Sequence, residues 1–276
     1  MAFIRFTKLP IQIDGDSYFA TDATFSESLP LTRINALGYK GAVAVAATGP
    51  VDGTWNVSMT YTAGMTKLLD TFKKDWGDRF HLVFGGSDFG KTAIMTSLNV
   101  QAEANGVATV SCGGNVYGSL GAAILEGAET ELTPASYVAV GHGSKTEVVG
   151  FNSEYFNFSW AASRTLTSIY KLNSADPVHL DFSDENITAS AQGSNLQRAI
   201  TSSESAQGAA IENICPMDAS LTFKVSSMCA AGRAGIISAE EWVADGYVQD
   251  RNVEVTVNDV LRGNITIVDY YSARTN

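Results

Sequence analysis

Residues 85–92 read GGSDFGKT, in which Gly85, Gly90, Lys91 and Thr92 satisfy G-x-x-x-x-G-K-[ST]. That spacing suits a phosphate cradle: backbone N–H groups surround the anion, the lysine reaches the outer phosphates and the hydroxyl meets Mg²⁺. The chemistry works only when a strand leads into the loop and a helix leaves it, so that the helix N-terminus stands behind the phosphates. HLVF (81–84) supplies a strand, which makes a P-loop nucleotide-binding protein using residues 85–92 the alternative reading of this chain. Asp88 opposes it by placing a negative charge inside the loop. The candidate Mg²⁺ carboxylate at the end of a separate apolar strand, Asp181 in PVHLDF, lies far along the chain. IMTSLNVQ then meets ANG and VATVSC, a pattern that predicts strand, turn and strand over residues 93–118 instead of a helix. On this reading GGSDFGKT is a connector into a long hairpin.

Other chemistry is sparse. His81, His142 and His179 are far apart, and none is spaced with a cysteine or carboxylate as metal ligands are. Cys112, Cys215 and Cys229 form no C-x-x-C pair and leave one thiol over in any pairing, as expected of reduced cysteines made in a cytosol. GHGSK (141–145) has no nucleophile elbow near it. Glu240 and Glu241 are adjacent on a predicted strand, so they face opposite ways and cannot act as a pair. EYFNFSWAAS (154–163) reads as core. The expectation is a protein that is not an enzyme, with no catalytic, cofactor-binding or metal site.

The elements around these residues are mostly strands. The chain has 276 residues, 45% hydrophobic and 17% charged, enough to bury a core. No apolar run approaches the ~18 residues of a membrane span. MAFIRFTKLPIQIDG alternates as a first strand does and lacks the apolar stretch of a signal peptide. The net charge of -11 disfavours wrapping a nucleic acid, because neutralising phosphates needs clustered Lys and Arg. TKLLDTFKKDW (66–76) has the apolar stripe of an amphipathic helix, and residues 194–214 form a weaker helical candidate.

The chain also repeats itself. SLPLTRINALG (28–38) and SRTLTSIYKLN (163–173) are identical at five of eleven positions, with Phe25 and Trp160 preceding them at the same 135-residue offset. In the same order follow NVSMTY with NITASA, HLVF with SLTF, and VSCGGNVYG with VTVNDVLRG. Two related halves are therefore expected, residues 1–120 and 148–276, joined by a linker over 121–147. Each is a strand-rich unit carrying one helix: mainly β with minor α, a sandwich or barrel in duplicate.

The blocks TFSESLPLTRINALGYKGAVAVAATGPVDGTWNVSMTY and NFSWAASRTLTSIYKLNSADPVHLDFSDENITASAQG resemble a stretch of the tail tube and tube-like baseplate proteins of tailed bacteriophages. The match covers some 40 residues of each half, and LN replaces LG in the second copy. The resemblance implies a compact β-barrel or sandwich with a flanking helix, and a long hairpin that pairs with neighbouring subunits. It implies a structural virion protein of the tail, assembled in the host cytoplasm, whose two fused halves form a trimer with pseudo-sixfold symmetry. Such rings stack around a DNA channel and meet other tail proteins: tape measure, baseplate and terminator. A baseplate hub or neck-side adaptor of the same fold is the related alternative. An acidic lumen would let DNA pass without specific binding.

Overall fold

The computed structural model describes residues 10–49, 52–62, 64–74, 78–84, 87–103, 106–117, 144–149, 155–172, 174, 176–194, 218–227, 240–254 and 262–270. The protein is mainly β, with one short helix among these residues. Strands β1 (Pro10–Ile13) and β2 (Asp16–Ser28) form a hairpin across Asp14 and Gly15. These two turn residues have φ of 56° and 89°, the left-handed values that a two-residue turn between twisted strands requires. A separate two-stranded hairpin, β3 (Leu31–Asn35) and β4 (Ala42–Ala47), follows.

Next come β5 (Asp52–Thr60), helix α1 (Lys67–Phe72), β6 (Phe80–Phe84), β7 (Ser87–Glu103) and β8 (Thr109–Val116). The expected helix over 66–76 is thus present but shorter, burying Leu68, Thr71 and Phe72. The second helical candidate lies outside the described residues, except for Ser194 at the end of a strand. Strand β9 (Ser144–Val149) begins inside the expected linker, because SKTEVV has strand character; residues 118–143 are outside the description. The remaining strands are β10 (Tyr155–Ile169), β11 (His179–Ser194), β12 (Asp218–Ser227), β13 (Glu240–Glu254) and β14 (Arg262–Tyr270).

Twelve of these strands make one sheet, in the order β6-β1-β2-β5-β8-β7-β10-β11-β14-β13-β12-β9. Every pairing in it is antiparallel, and β6 also pairs with β7, which closes the first six strands on themselves. The order β2-β5-β8-β7 recurs as β10-β11-β14-β13. Irregularities recur with it: Ala20/Asp22 in β2 and Tyr155/Asn157 in β10, then Met95/Ser97 in β7 and Val248/Asp250 in β13. At the β7 irregularity the partner is Gly114, where a Cβ would strike the Ile94 carbonyl; glycine lets the two backbones meet.

One apolar cluster runs through the sheet and includes Trp55, Met59, Leu98, Trp160, Ile187, Phe223, Trp242 and Ile267. The stretch EYFNFSWAAS contributes Phe158, Trp160 and Ala162, as expected of core. Phe158 stacks on Phe223 with ring centroids 4.2 Å apart. The two expected halves therefore share one sheet and one core.

Candidate functional surface

GGSDFGKT does not open a helix. Residues 87–103 form β7, whose first residues pair with β6: Phe84 opposite Ser87, Val83 opposite Asp88 and His81 opposite Lys91. A ladder that uses these backbone groups cannot fan them around a phosphate, and among the described residues no helix begins after them at Lys91. The P-loop alternative is corrected on this geometry; Gly85 and Gly86 lie outside the described residues. The expected strand, turn and strand is found, with β7 pairing β8 from Ala93–Val116 to Gln101–Thr109.

Among the described residues, no three His, Cys, Asp or Glu side chains gather as metal ligands do. Nor is any described helix long and apolar enough to cross a membrane. His81 and His179 lie on β6 and β11, in separate parts of the sheet. Cys112 is buried in β8, and burial pushes its thiol well above the ordinary value. Glu240 and Glu241 face opposite sides of β13, as alternation requires: Glu240 is half-buried and Glu241 exposed.

Glu240 instead anchors a buried polar chain. One of its carboxylate oxygens accepts from the Tyr61 hydroxyl at 2.6 Å, and the other accepts from the Gly64 N–H. The same hydroxyl accepts from the Trp242 indole at 2.8 Å. Burial first, then the Glu240 charge, raises the Tyr61 phenol far above its usual range. Trp160, whose ring centroid lies 5.0 Å from that of Trp242, donates to the Val243 carbonyl at 3.0 Å. The chain ties the end of β5 to β13, far apart in sequence.

What the sheet offers is a polar face. Thr60, Thr109, Gln101, Ser159, Ser190, Thr266 and Asp250 stand in register across β5, β8, β7, β10, β11, β14 and β13. A parallel row runs Asp22, Ser58, Ser111, Asn99, Ala161 and Thr188. Another runs Glu103, Asn157, Gln192, Asn264 and Asn252. Only three residues in these rows are charged, all acidic, and only Ala161 is apolar. Cross-strand bonds link the face: Ser26–Thr54 and Ser159–Ser190 at 2.8 Å, Asn157–Gln192 at 3.0 Å and Ser163–Asn186 at 3.1 Å. A shallow depression of about 320 Å³ lies over Gln101, Asn157, Ser190 and Asn264. Sequence reading missed this surface, although its signal is present as Ser, Thr, Asn or Gln at every second residue of several strands.

The second feature is the joint between β7 and β10. They pair from Ser97–Ser163 to Glu103–Asn157, with Leu98 opposite Ala162 and Val100 opposite Trp160 on the core side. Each strand has a counterpart in the recurring order. Along β2, from Asp22 to Ser28, β5 is the strand neighbour among the described residues. Along β13, from Val248 to Glu254, the described neighbour is β14. No protein-family model matches the chain, and no curated protein sequence matches it either.

Proposed function

We propose that this chain is a structural virion protein: a duplicated, tail-tube-like subunit, three copies of which close a pseudo-sixfold ring. Rings stack around a channel through which DNA passes in the virion tail, and the ends of the stack meet other tail proteins. The duplication is supported by the recurring strand order and by the two pairs of irregularities at matching places.

The observation that carries the reading is the β7–β10 joint, together with the counterpart edges on β13 and β2. Repeating that joint between copies joins β13 of one to β2 of the next. Such a head-to-tail contact propagates, and it forms a ring when the rotation closes. It also covers strand edges that would otherwise invite aggregation. Carrying over the internal register sets Ser28 opposite Asp250, Glu27 opposite Arg251, Ser26 opposite Asn252 and Phe25 opposite Val253. The last pair repeats the aromatic–valine contact of Trp160 and Val100, and the Glu27 position meets a cation.

The polar rows then continue from copy to copy as a channel wall. Several of its hydroxyls and amides are bonded to one another, and it offers no Lys or Arg in these rows for a phosphate to hold. The wall is neutral-polar with a few carboxylates, so DNA passes for want of cations more than through a dense acidic field.

Electron microscopy and native mass spectrometry of the purified protein test this. Rings of three copies, and tubes at higher concentration, are the expected result. Single rings that never stack would move the assignment to a hub or adaptor, and monomers at every concentration would overturn it.

A further inference from the structure

The β3–β4 hairpin is bare. Every residue of both strands is exposed, including Leu31 at 58% and Val45 at 57%. Two-stranded ribbons are marginal on their own in water, and this one presents Leu31, Ile34, Val43 and Val45 to solvent.

The tip of β10–β11 has the same register. Leu31 faces Ala47 as Leu166 faces Phe182, and Arg33 faces Val45 as Ser168 faces Leu180. Yet one face of that tip is packed, while Ile169 and Val178, the counterparts of Ile34 and Val43, stay exposed on the other. Leu180, 2% exposed, lies in a cluster with Ile94 and Tyr117, and Leu166, Tyr170 and Phe182 close over it. The Ser168 and Tyr117 hydroxyls are bonded at 2.7 Å, and Arg79 lies 3.6 Å from Asp176.

What covers the β10–β11 tip is the β7–β8 end of the first half. Its counterpart is the β13–β14 end of the second half. Ile94 immediately precedes the Met95/Ser97 irregularity, and Tyr247 immediately precedes the one at Val248/Asp250. Tyr247 is 41% exposed, and Val243 on the same strand is exposed as well. Asp245 stands between them and is also exposed, while the hairpin carries Arg33 and Lys40.

We propose that the β3–β4 hairpin is an assembly latch whose occupant is a second copy of this chain. It seats Leu31 and Val45 on the Val243–Asp245–Tyr247 strip of the neighbour in the same ring. Arg33 then meets Asp245, and the latch closes over the joint formed by β13 and β2. This rests on the ring reading, and the experiment separates the two.

Val45→Cys and Tyr247→Cys are combined in one chain with Cys215→Ser and Cys229→Ser, and assembled protein is treated with a short bis-maleimide. Denaturing gels are expected to show a covalent ladder ending at the trimer, which neither single-cysteine variant gives. Intact rings without a ladder would sink the latch and leave the ring standing. A ladder from stacked tubes but not isolated rings would sink it too, by placing the contact between rings. Protein that stays monomeric would remove both proposals. Val45→Asp is the second readout, since an exposed residue can change without unfolding the chain. The melting temperature of the monomer is expected to hold while ring assembly weakens roughly tenfold; unchanged assembly would overturn the latch.

Discussion

The β3–β4 hairpin and the β10–β11 tip share a register, and one is bare on both faces where the other has Leu180 buried and Leu166 and Phe182 partly covered on one face. A like contrast in strand pairing separates β2 from β10 and β13 from β7. In each case the packed member faces the other expected half, and among the described residues the open member has no such neighbour. For Leu31 against Leu166 and Val45 against Leu180, burial follows what lies beside the hairpin more than the local sequence. On the proposed ring reading, the internal joint is the contact that β13 and β2 would make again between copies.

The sharpest way to break this comparison is at the charge pair. Arg251→Glu sets two carboxylates opposite each other, which is unfavourable across paired strands. Rings are expected to disappear, and Glu27→Arg in the same chain should restore them. Native mass spectrometry reads both; rings formed by the single variant would discard the proposed register.

The next effect is on stability, and it should differ between counterparts. Trp160 is fully buried and its indole is bonded to Val243, so Trp160→Ala is expected to cost about 3–5 kcal/mol in urea unfolding. Phe25 is only partly buried against the core, so Phe25→Ala should cost about 1 kcal/mol in the isolated chain. In return it should weaken the ring. Equal costs in the monomer would erase the distinction between filled and open joints.

Much of the architecture was legible in the residues, for identifiable reasons. ANG after IMTSLNVQ marks a hairpin because turn chemistry is local, whereas the Asp14-Gly15 turn went unread at the end of an expected strand. SLPLTRINALG and SRTLTSIYKLN lie in matching hairpin registers, and they are irregular enough to have one alignment. The later blocks did not. NVSMTY was set against NITASA, but Asn56 pairs with Thr24 and Asn186 with Ser163, which puts Ser190 in the place of Asn56. A strand that alternates polar and apolar residues looks the same after any even slip, so only its ladder can settle the register. Likewise VSCGGNVYG was set against residues 255–263, whereas the irregularities bring Val110 to the place of Gly263. The polar face was hidden for a related reason: its rows cross the strands, so no sequence window contains one.

Between the end of β5 and β13, Tyr61→Phe tests the buried polar chain. It removes the donor to Glu240 and the acceptor for Trp242, and each loses a partner away from water. A loss of about 1–3 kcal/mol in chemical unfolding is expected. A neutral result would mean that water or another donor replaces the hydroxyl.

The smallest effect concerns Asp269, which stands where the first half has the buried Val116. Partial burial, and then Asp245, raise its carboxyl above the ordinary value. A raised carboxyl binds its proton more tightly in the folded chain than in the unfolded one. Its ionised form is therefore a burden at neutral pH, relieved as pH falls through the folded value. Asp269→Asn should raise the neutral-pH melting temperature by no more than roughly 1–2 °C, because solvent screens most of the charge. The gain should vanish once pH drops below about 3.9, where both states are protonated. A gain that persists in acid would point to packing, and the contrast with Val116 would then be one of shape, not charge.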